Sequence, residues 1–147
     1  LHTTLDTCGY ASTEALDRVR PFVDLFLYDL KLMDDIRHRE VTGASNARIL
    51  HHVRLLSENG HRIVIRIPVI PNINDDDANI DQIGAFLHDL AGIERVELLA
   101  YHRIGSEKHA RLGFENPMPA TVPPSDARML SIQQRLENYG LTVKLGG

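Results

Sequence analysis

The sequence predicts an α/β fold built on a parallel sheet, and three observations predict it. Short apolar strand patterns alternate with amphipathic helix patterns along the chain, and this order implies right-handed βα units. The stretch 62–70 (Arg-Ile-Val-Ile-Arg-Ile-Pro-Val-Ile) is apolar on nearly every position, the pattern of a strand covered on both faces, with Arg66 as the exception. Apolar strands also end on charged or titratable residues. In Phe26-Leu27-Tyr28-Asp29-Leu30-Lys31-Leu32 an aspartate and a lysine stand two residues apart, so in a strand both point to the same face. In a parallel sheet the crevice beyond the carboxyl ends of the strands is where ligands bind, because the loops converge there.

The elements follow in order. A first strand over 1–6 meets a turn at Thr7-Cys8-Gly9; Ser12 or Thr13 then caps a helix with Ala15, Leu16 and Val19 on one side, which Pro21 closes. A second strand spans 23–32. Asp34 caps a short helix that Gly43 ends, and Ser45 or Asn46 caps a longer one, with Ile49, Leu50, Val53 and Leu56 at helical spacing, that Gly60 stops. In the third strand Pro68 cannot donate to a ladder and must lie near the end or at a bulge. The run Asn72 to Asp77 is an acidic loop and cap for a helix whose buried stripe is Ile80, Ile83, Leu87 and Leu90, ended by Gly92. A fourth strand runs from Val96 to His102. The segment 103–124, rich in proline, exceeds the roughly 12 to 15 residues usual for a loop in a compact domain, which suggests a lid or binding surface. Ser125 caps a last helix (Met129, Ile132, Leu136, Tyr139), Gly140 stops it, and 141–145 form a final strand.

Composition bounds the function. With 147 residues, 43% of them apolar and 24% charged, the chain is long enough for one domain, 1–147, with a real core. A formal charge of −4 provides no basic field, which disfavours nucleic acid as the main partner. No apolar run approaches the roughly 20 residues of a membrane span, and no leader pattern is present, so no membrane partner and a reducing, cytoplasmic setting are expected. One cysteine, Cys8, cannot form an internal disulfide or by itself hold a zinc ion or an iron–sulfur cluster. The chain opens inside a β-branched strand pattern without an initiator Met, so a fragment whose upstream part is missing is expected.

Asp6, Asp29, Lys31, Arg66 and His102 all fall at or near the carboxyl ends of consecutive strands. Singly, each has a structural explanation as a turn residue, an ion pair or a satisfied histidine. Jointly, two carboxylates, a lysine, an arginine and a histidine on one rim suit a zwitterionic amino-acid moiety with a cation beside it. Other signals are weaker. His51 and His52 are neighbours on a helix and face different ways, so surface placement is favoured over metal binding. Asp75-Asp76-Asp77 lacks the glycine and distal glutamate of a calcium loop and fits a solvated helix N-terminus. Lys108, His109 and Arg111 fit a solvent-facing loop or a cationic lid.

Six segments in series, Asp6-Thr7-Cys8-Gly9, Tyr28-Asp29-Leu30-Lys31, Gly43-Ala44-Ser45-Asn46, Ile65-Arg66-Ile67-Pro68, Leu98-Leu99-Ala100-Tyr101-His102 and Gly146-Gly147, resemble the carboxyl-terminal portion of the glycyl-radical-enzyme activating enzymes. The resemblance covers the whole chain in order and spacing. It implies a radical S-adenosylmethionine protein, with this chain as roughly the last four βα units of a partial (βα)6 barrel. By the same resemblance Asp6, Asp29, Lys31, Arg66 and His102 contact S-adenosylmethionine. Asp6, Thr7, the backbone at Leu27 and Asp29 hold a monovalent cation beside its carboxylate. The implied partners are a glycyl radical enzyme such as pyruvate formate-lyase and a flavodoxin-like or ferredoxin-like electron donor. The CxxxCxxC motif that holds the family's [4Fe-4S] cluster is absent from this sequence, as is the Gly-Gly-Glu stretch expected before the first strand. The chain by itself is therefore expected to lack the redox centre and to be inactive. The alternative is a partial α/β-barrel module that binds a small anionic metabolite or a partner protein without redox chemistry.

Overall fold

The computed structural model describes residues 1–101 and 122–146. The sequence expectations for His102, Lys108, His109 and Arg111 and for most of the segment 103–124 lie outside the described residues. Five strands form one sheet in the order β1-β2-β3-β4-β5, every neighbouring pair parallel. They are β1 (Thr4–Thr7), β2 (Leu25–Asp29), β3 (Ile63–Val69), β4 (Ile93–Ala100) and β5 (Val143–Gly146). The helices between them are α1 (Thr13–Val19), α2 (Asp35–Thr42), α3 (Ala47–Glu58), α4 (Asp77–His88) and α5 (Asp126–Glu137). Consecutive strands are adjacent throughout, which is the topology of a sheet curling into a barrel, and the α/β parallel fold expected from the sequence is the fold observed.

Local chemistry accounts for the helix ends. Ser12, Asp34, Asp76 and Ser125 each accept a backbone N–H from the first turn of α1, α2, α4 and α5. Pro21 lies in a 3-10 turn directly after α1. Gly43 is left-handed at the C-cap of α2. The helix α4 stops at His88, four residues before Gly92, whose positive φ instead turns the chain into β4. The strands β1 and β2 are shorter than the sequence patterns suggested, and β4 begins earlier, at Ile93.

Register divides the sheet into two unlike faces. Phe26, Tyr28, Ile63, Ile65, Ile67, Val96, Leu98 and Val143 alternate onto one face and form the core with Leu16, Val53, Leu56, Ile80, Ile83, Ile132 and Leu136 from the helices. The opposite face carries Asp6, Leu27, Asp29, Val64, Arg66, Arg95, Glu97, Leu99 and Lys144, and of these only Val64 is buried. The expectation that β3 is covered on both faces therefore holds only on the helix side, among the described residues. Pro68 sits one residue before the end of β3, paired with Leu99 of β4 and beyond the last residue paired with β2, so its missing donor breaks no ladder bond.

Two close contacts fix the packing. Gly9 lies against the buried Tyr28, whose hydroxyl donates to the Ile49 carbonyl at 2.6 Å; a Cβ on Gly9 would stand 1.7 Å from the Tyr28 hydroxyl oxygen. Gly84 of α4 meets the Tyr139 ring in the same way, letting α4 and α5 approach. Arg128 and Arg135 of α5 then reach Asp77 and Asp81 of α4.

The corner between α2 and α3 is held by Asp35. Its carboxylate accepts from the Ser45 hydroxyl at 2.7 Å, the Arg39 guanidinium at 2.8 Å and the Asn46 N–H at 2.9 Å. These contacts, the Ser45 bond foremost, lower its pKa from 3.8 to about 2. A depressed carboxyl pKa stabilises the fold above the unfolded value and loses that contribution as pH falls through the folded one. The Asp35→Asn variant is thus expected to unfold at lower urea than the parent at pH 7, and the difference is expected to vanish between about pH 4 and pH 2. A gap of equal size at both ends of that range would contradict this role.

Candidate functional site

Three neighbouring strands place one guanidinium between two carboxylates. Asp29 is the last residue of β2 and lies in register with Arg66 of β3, while Asp6 of β1 pairs with Leu27, two residues earlier on the same face. The Arg66 Nε donates to Asp29 Oδ1 at 2.9 Å, and its Nη2 reaches the same oxygen at 2.8 Å and also donates to the Asp6 carboxylate. The side chains of Arg66, Asp29 and Asp6 are 18%, 27% and 61% exposed, so the Asp29 arm is shielded and the Asp6 arm is largely solvated. Burial alone would lower the Arg66 pKa, but the Asp6 hydrogen bond and the charge of Asp29 outweigh it and raise the value. Among the described residues Arg66 Nη1 has no partner, so the guanidinium keeps free donors beside two carboxylates with free lone pairs.

The polar row continues across the sheet. Asp29, Arg66, Glu97 and Lys144 are in register on β2 to β5, alternating in sign on the open face. Glu97 turns away from Arg66 and takes Arg95, two residues earlier on its own strand, at 2.8 Å.

Lys31 differs from its expected placement. Because β2 stops at Asp29, Lys31 is in the following loop and not on a strand face with Asp29. Its carbonyl accepts from Asn74 Nδ2 at 3.2 Å and Asn79 Nδ2 at 3.1 Å. Asn79 Oδ1 accepts the Met33 N–H at 2.9 Å, and Asn46 Nδ2 donates to the Leu32 and Met33 carbonyls at 3.1 and 2.8 Å. Asn46 therefore occupies the N-cap position of α3 without capping it; its side chain is spent on the loop instead. Three buried asparagines thus fix the loop that carries Lys31. Sequence reasoning missed this clamp, since an asparagine near a helix start looks the same whether it caps the helix or holds a distant loop.

Of the residues assigned to a cation, Asp6, Thr7, Leu27 and Asp29 all lie on β1 and β2, and the Thr7 hydroxyl accepts the Gly9 N–H at 2.9 Å. Two surface expectations are corrected. His51 is exposed, but His52 is fully buried, with Nδ1 against the Gly9 carbonyl at 2.8 Å and Nε2 against Thr13 Oγ1 at 3.0 Å, where it ties the β1–α1 turn to α3. The run Asp75-Asp76-Asp77 is engaged, not merely solvated: Asp76 caps α4 and pairs with Arg37 at 2.8 Å, and Asp77 takes both α5 arginines. No group of three or more metal-ligating side chains forms among the described residues, and no described helix is long and apolar enough to cross a membrane.

Replacing Arg66 by Leu would leave two carboxylates without their shared cation. The loss is expected to be on the order of 1–3 kcal/mol, most of it from the shielded Asp29 arm, since exposed pairs contribute little. Urea unfolding of Arg66→Leu at low salt checks it; unchanged stability would mean that the three-strand pairing does not persist in solution.

No protein-family model matches the chain. It is 40% identical over 149 residues to the trans-4-hydroxy-L-proline dehydratase activating enzyme of Clostridioides difficile, covering 100% of this chain and 49% of that protein. It is 34% identical over 142 residues to the pyruvate formate-lyase 1-activating enzyme of Escherichia coli, covering 95% of this chain and 58% of that one. The chain thus spans about half the length of these curated relatives. A solved domain of pyruvate-formate lyase-activating enzyme from Bacteroides vulgatus superposes with a TM-score of 0.82 at 31% identity, covering 100% of this chain and 82% of that domain. A radical SAM methyltransferase from Sphaerobacter thermophilus shares the fold, with a TM-score of 0.72 at 20% identity over 97% of this chain and 39% of that one. By sequence and by fold, the chain belongs to the glycyl-radical-enzyme activating enzymes.

Proposed function

We propose that this chain is the cofactor-holding, carboxyl-terminal portion of an activating enzyme that installs a glycyl radical on a partner enzyme, and that its open rim binds S-adenosylmethionine. The observation that supports this most is the Asp6–Arg66–Asp29 cluster, which spans three parallel strands level with the carboxyl end of β2. The donor set fits the ligand. The carboxylate of Asp29 suits an ammonium or a ribose hydroxyl, the free Arg66 donors suit a carboxylate or a heterocycle acceptor, and Lys31, on its clamped loop, suits an anionic group. His102 belongs to the same proposed set. A monovalent cation held by Asp6, Thr7, the Leu27 backbone and Asp29 would offset repulsion between these carboxylates and that of the ligand.

In the complete enzyme the cofactor would supply the radical that takes a hydrogen from a glycine of the partner, a glycyl radical enzyme such as pyruvate formate-lyase, with the electron from a flavodoxin-like or ferredoxin-like donor. The residues of this chain bind and orient. They do not fit the [4Fe-4S] cluster: the sequence holds one cysteine, Cys8, which is exposed, and a cluster requires several thiolates. The chain alone is accordingly proposed to be inactive, the cluster being held by a portion of the enzyme outside it. A cytoplasmic setting accords with a family whose chemistry requires reduced thiolates.

Calorimetric titration of S-adenosylmethionine into the chain tests the proposal. The parent is expected to bind, Asp29→Ala to lose affinity by on the order of tenfold or more, and the exposed Glu137→Ala to change it less than about twofold, as partly buried and solvated charges should. Equal effects of the two substitutions, or no saturable heat, would favour the binding module for another small anion.

A further inference from the structure

A cavity of about 250 Å³, lined in part by Asp29 and Lys31 of the rim, opens between the β1–α1 turn and the α2–α3 pair. Its walls are mostly apolar, with Leu30, Leu32, Ile49 and Leu50 contributing, and Cys8 and Tyr10 stand at the turn side. His38 and Asn46 are buried polar residues set into this lining. His38 of α2 is only 4% exposed, and its Nδ1 lies 2.7 Å from the Ala44 carbonyl. A carbonyl can only accept, so Nδ1 carries the proton, and in the neutral ring Nε2 is left as an acceptor. The neighbouring Thr42 hydroxyl leaves this assignment intact, since it donates to the His38 carbonyl at 2.7 Å. Among the described residues Nε2 has no hydrogen-bond partner, although His38 lines the cavity. The groups contacting S-adenosylmethionine in the proposed function do not include His38, Ile49 or Leu50.

A cavity of roughly 150 Å³ lined by aliphatic and aromatic side chains is enough to take up benzene. The larger volume here, the apolar walls and the His38 acceptor, oriented by its bond to the Ala44 carbonyl, suit a narrow chemical class. We propose that this cavity, which adjoins the proposed S-adenosylmethionine site and shares Asp29 and Lys31 with it, takes a flat aromatic group with a single hydrogen-bond donor, a phenol or an indole, whose O–H or N–H is received by His38 Nε2. The group could arrive as a free small molecule or as the side chain of a polypeptide; both present the same chemistry to the pocket.

Methyl NMR of the chain, titrated with p-cresol and with toluene, separates this proposal from non-specific uptake. Saturable shifts at Ile49 and Leu50 are expected with p-cresol, with toluene weaker by about fivefold, the size of one net hydrogen bond. The His38→Asn variant keeps a donor for the Ala44 carbonyl and lacks Nε2, so its preference for p-cresol is expected to shrink to less than about twofold. The Leu50→Trp variant, at a half-buried wall position, is expected to fill the cavity and abolish both titrations. N-acetyl-tyrosine amide distinguishes the sources: binding as tight as that of p-cresol supports a side-chain ligand, and exclusion while p-cresol binds supports a free one. Absence of saturable shifts, equal binding of p-cresol and toluene to the parent, or an undiminished preference in His38→Asn would overturn the proposal.

Discussion

A guanidinium shared by two carboxylates ties β1, β2 and β3 together at the end of the sheet where a ligand can approach. Its physical weight comes from register. Side chains in a strand alternate between faces, so a slip of one residue in β3 would drive Arg66 into the helix-side core and bring Ile65 and Ile67 onto the polar face. The apolar side of β3 and the charge on its other side therefore specify the same register independently. The ion cluster is as much a consequence of the core as a constraint on it.

Around this cluster the loops are held by hydrogen bonds from a few buried polar side chains. Asn46, Asn74 and Asn79 fix the loop from Lys31 to Met33, His52 pins the turn after β1 to α3, and Tyr28 reaches the Ile49 carbonyl beneath Gly9. No side-chain nitrogen or oxygen closed off from both solvent and cavity lacks a partner among the described residues, which is what a rim must achieve if its loops are to keep their positions without a ligand. Rigid placement of this kind lowers the ordering cost of binding, so the charged groups at the rim act from fixed positions.

Much of this was legible in the sequence because the signals were local. The alternation of strand and helix, the near-continuous apolar run from Ile63 to Ile70, and the caps at Ser12, Asp34, Asp76 and Ser125 each follow from chemistry within a few residues. The gathering of Asp6, Asp29 and Arg66 could be anticipated because a parallel sheet brings strand ends together. What could not be anticipated depends on partners distant in sequence. Lys31 belongs to a loop because β2 ends early, His52 is buried because Gly9 and Thr13 lie over it, and Asp77 is engaged because α5 returns against α4. Helical spacing assigned His52 to a face of its helix but could not show what would cover that face.

Membership of the activating-enzyme family and the geometry of the rim meet at Arg66, and the most direct measurement follows its guanidinium. Nitrogen-15 NMR of the Arg66 Nε–H group, recorded while S-adenosylmethionine is added, reports the ion cluster and ligand binding together. A slowly exchanging Nε–H signal that requires Asp29 is expected without ligand, with a saturable shift of that signal as ligand binds. A rapidly exchanging signal unaffected by Asp29→Ala, or ligand binding that leaves the Arg66 signal unmoved, would contradict this.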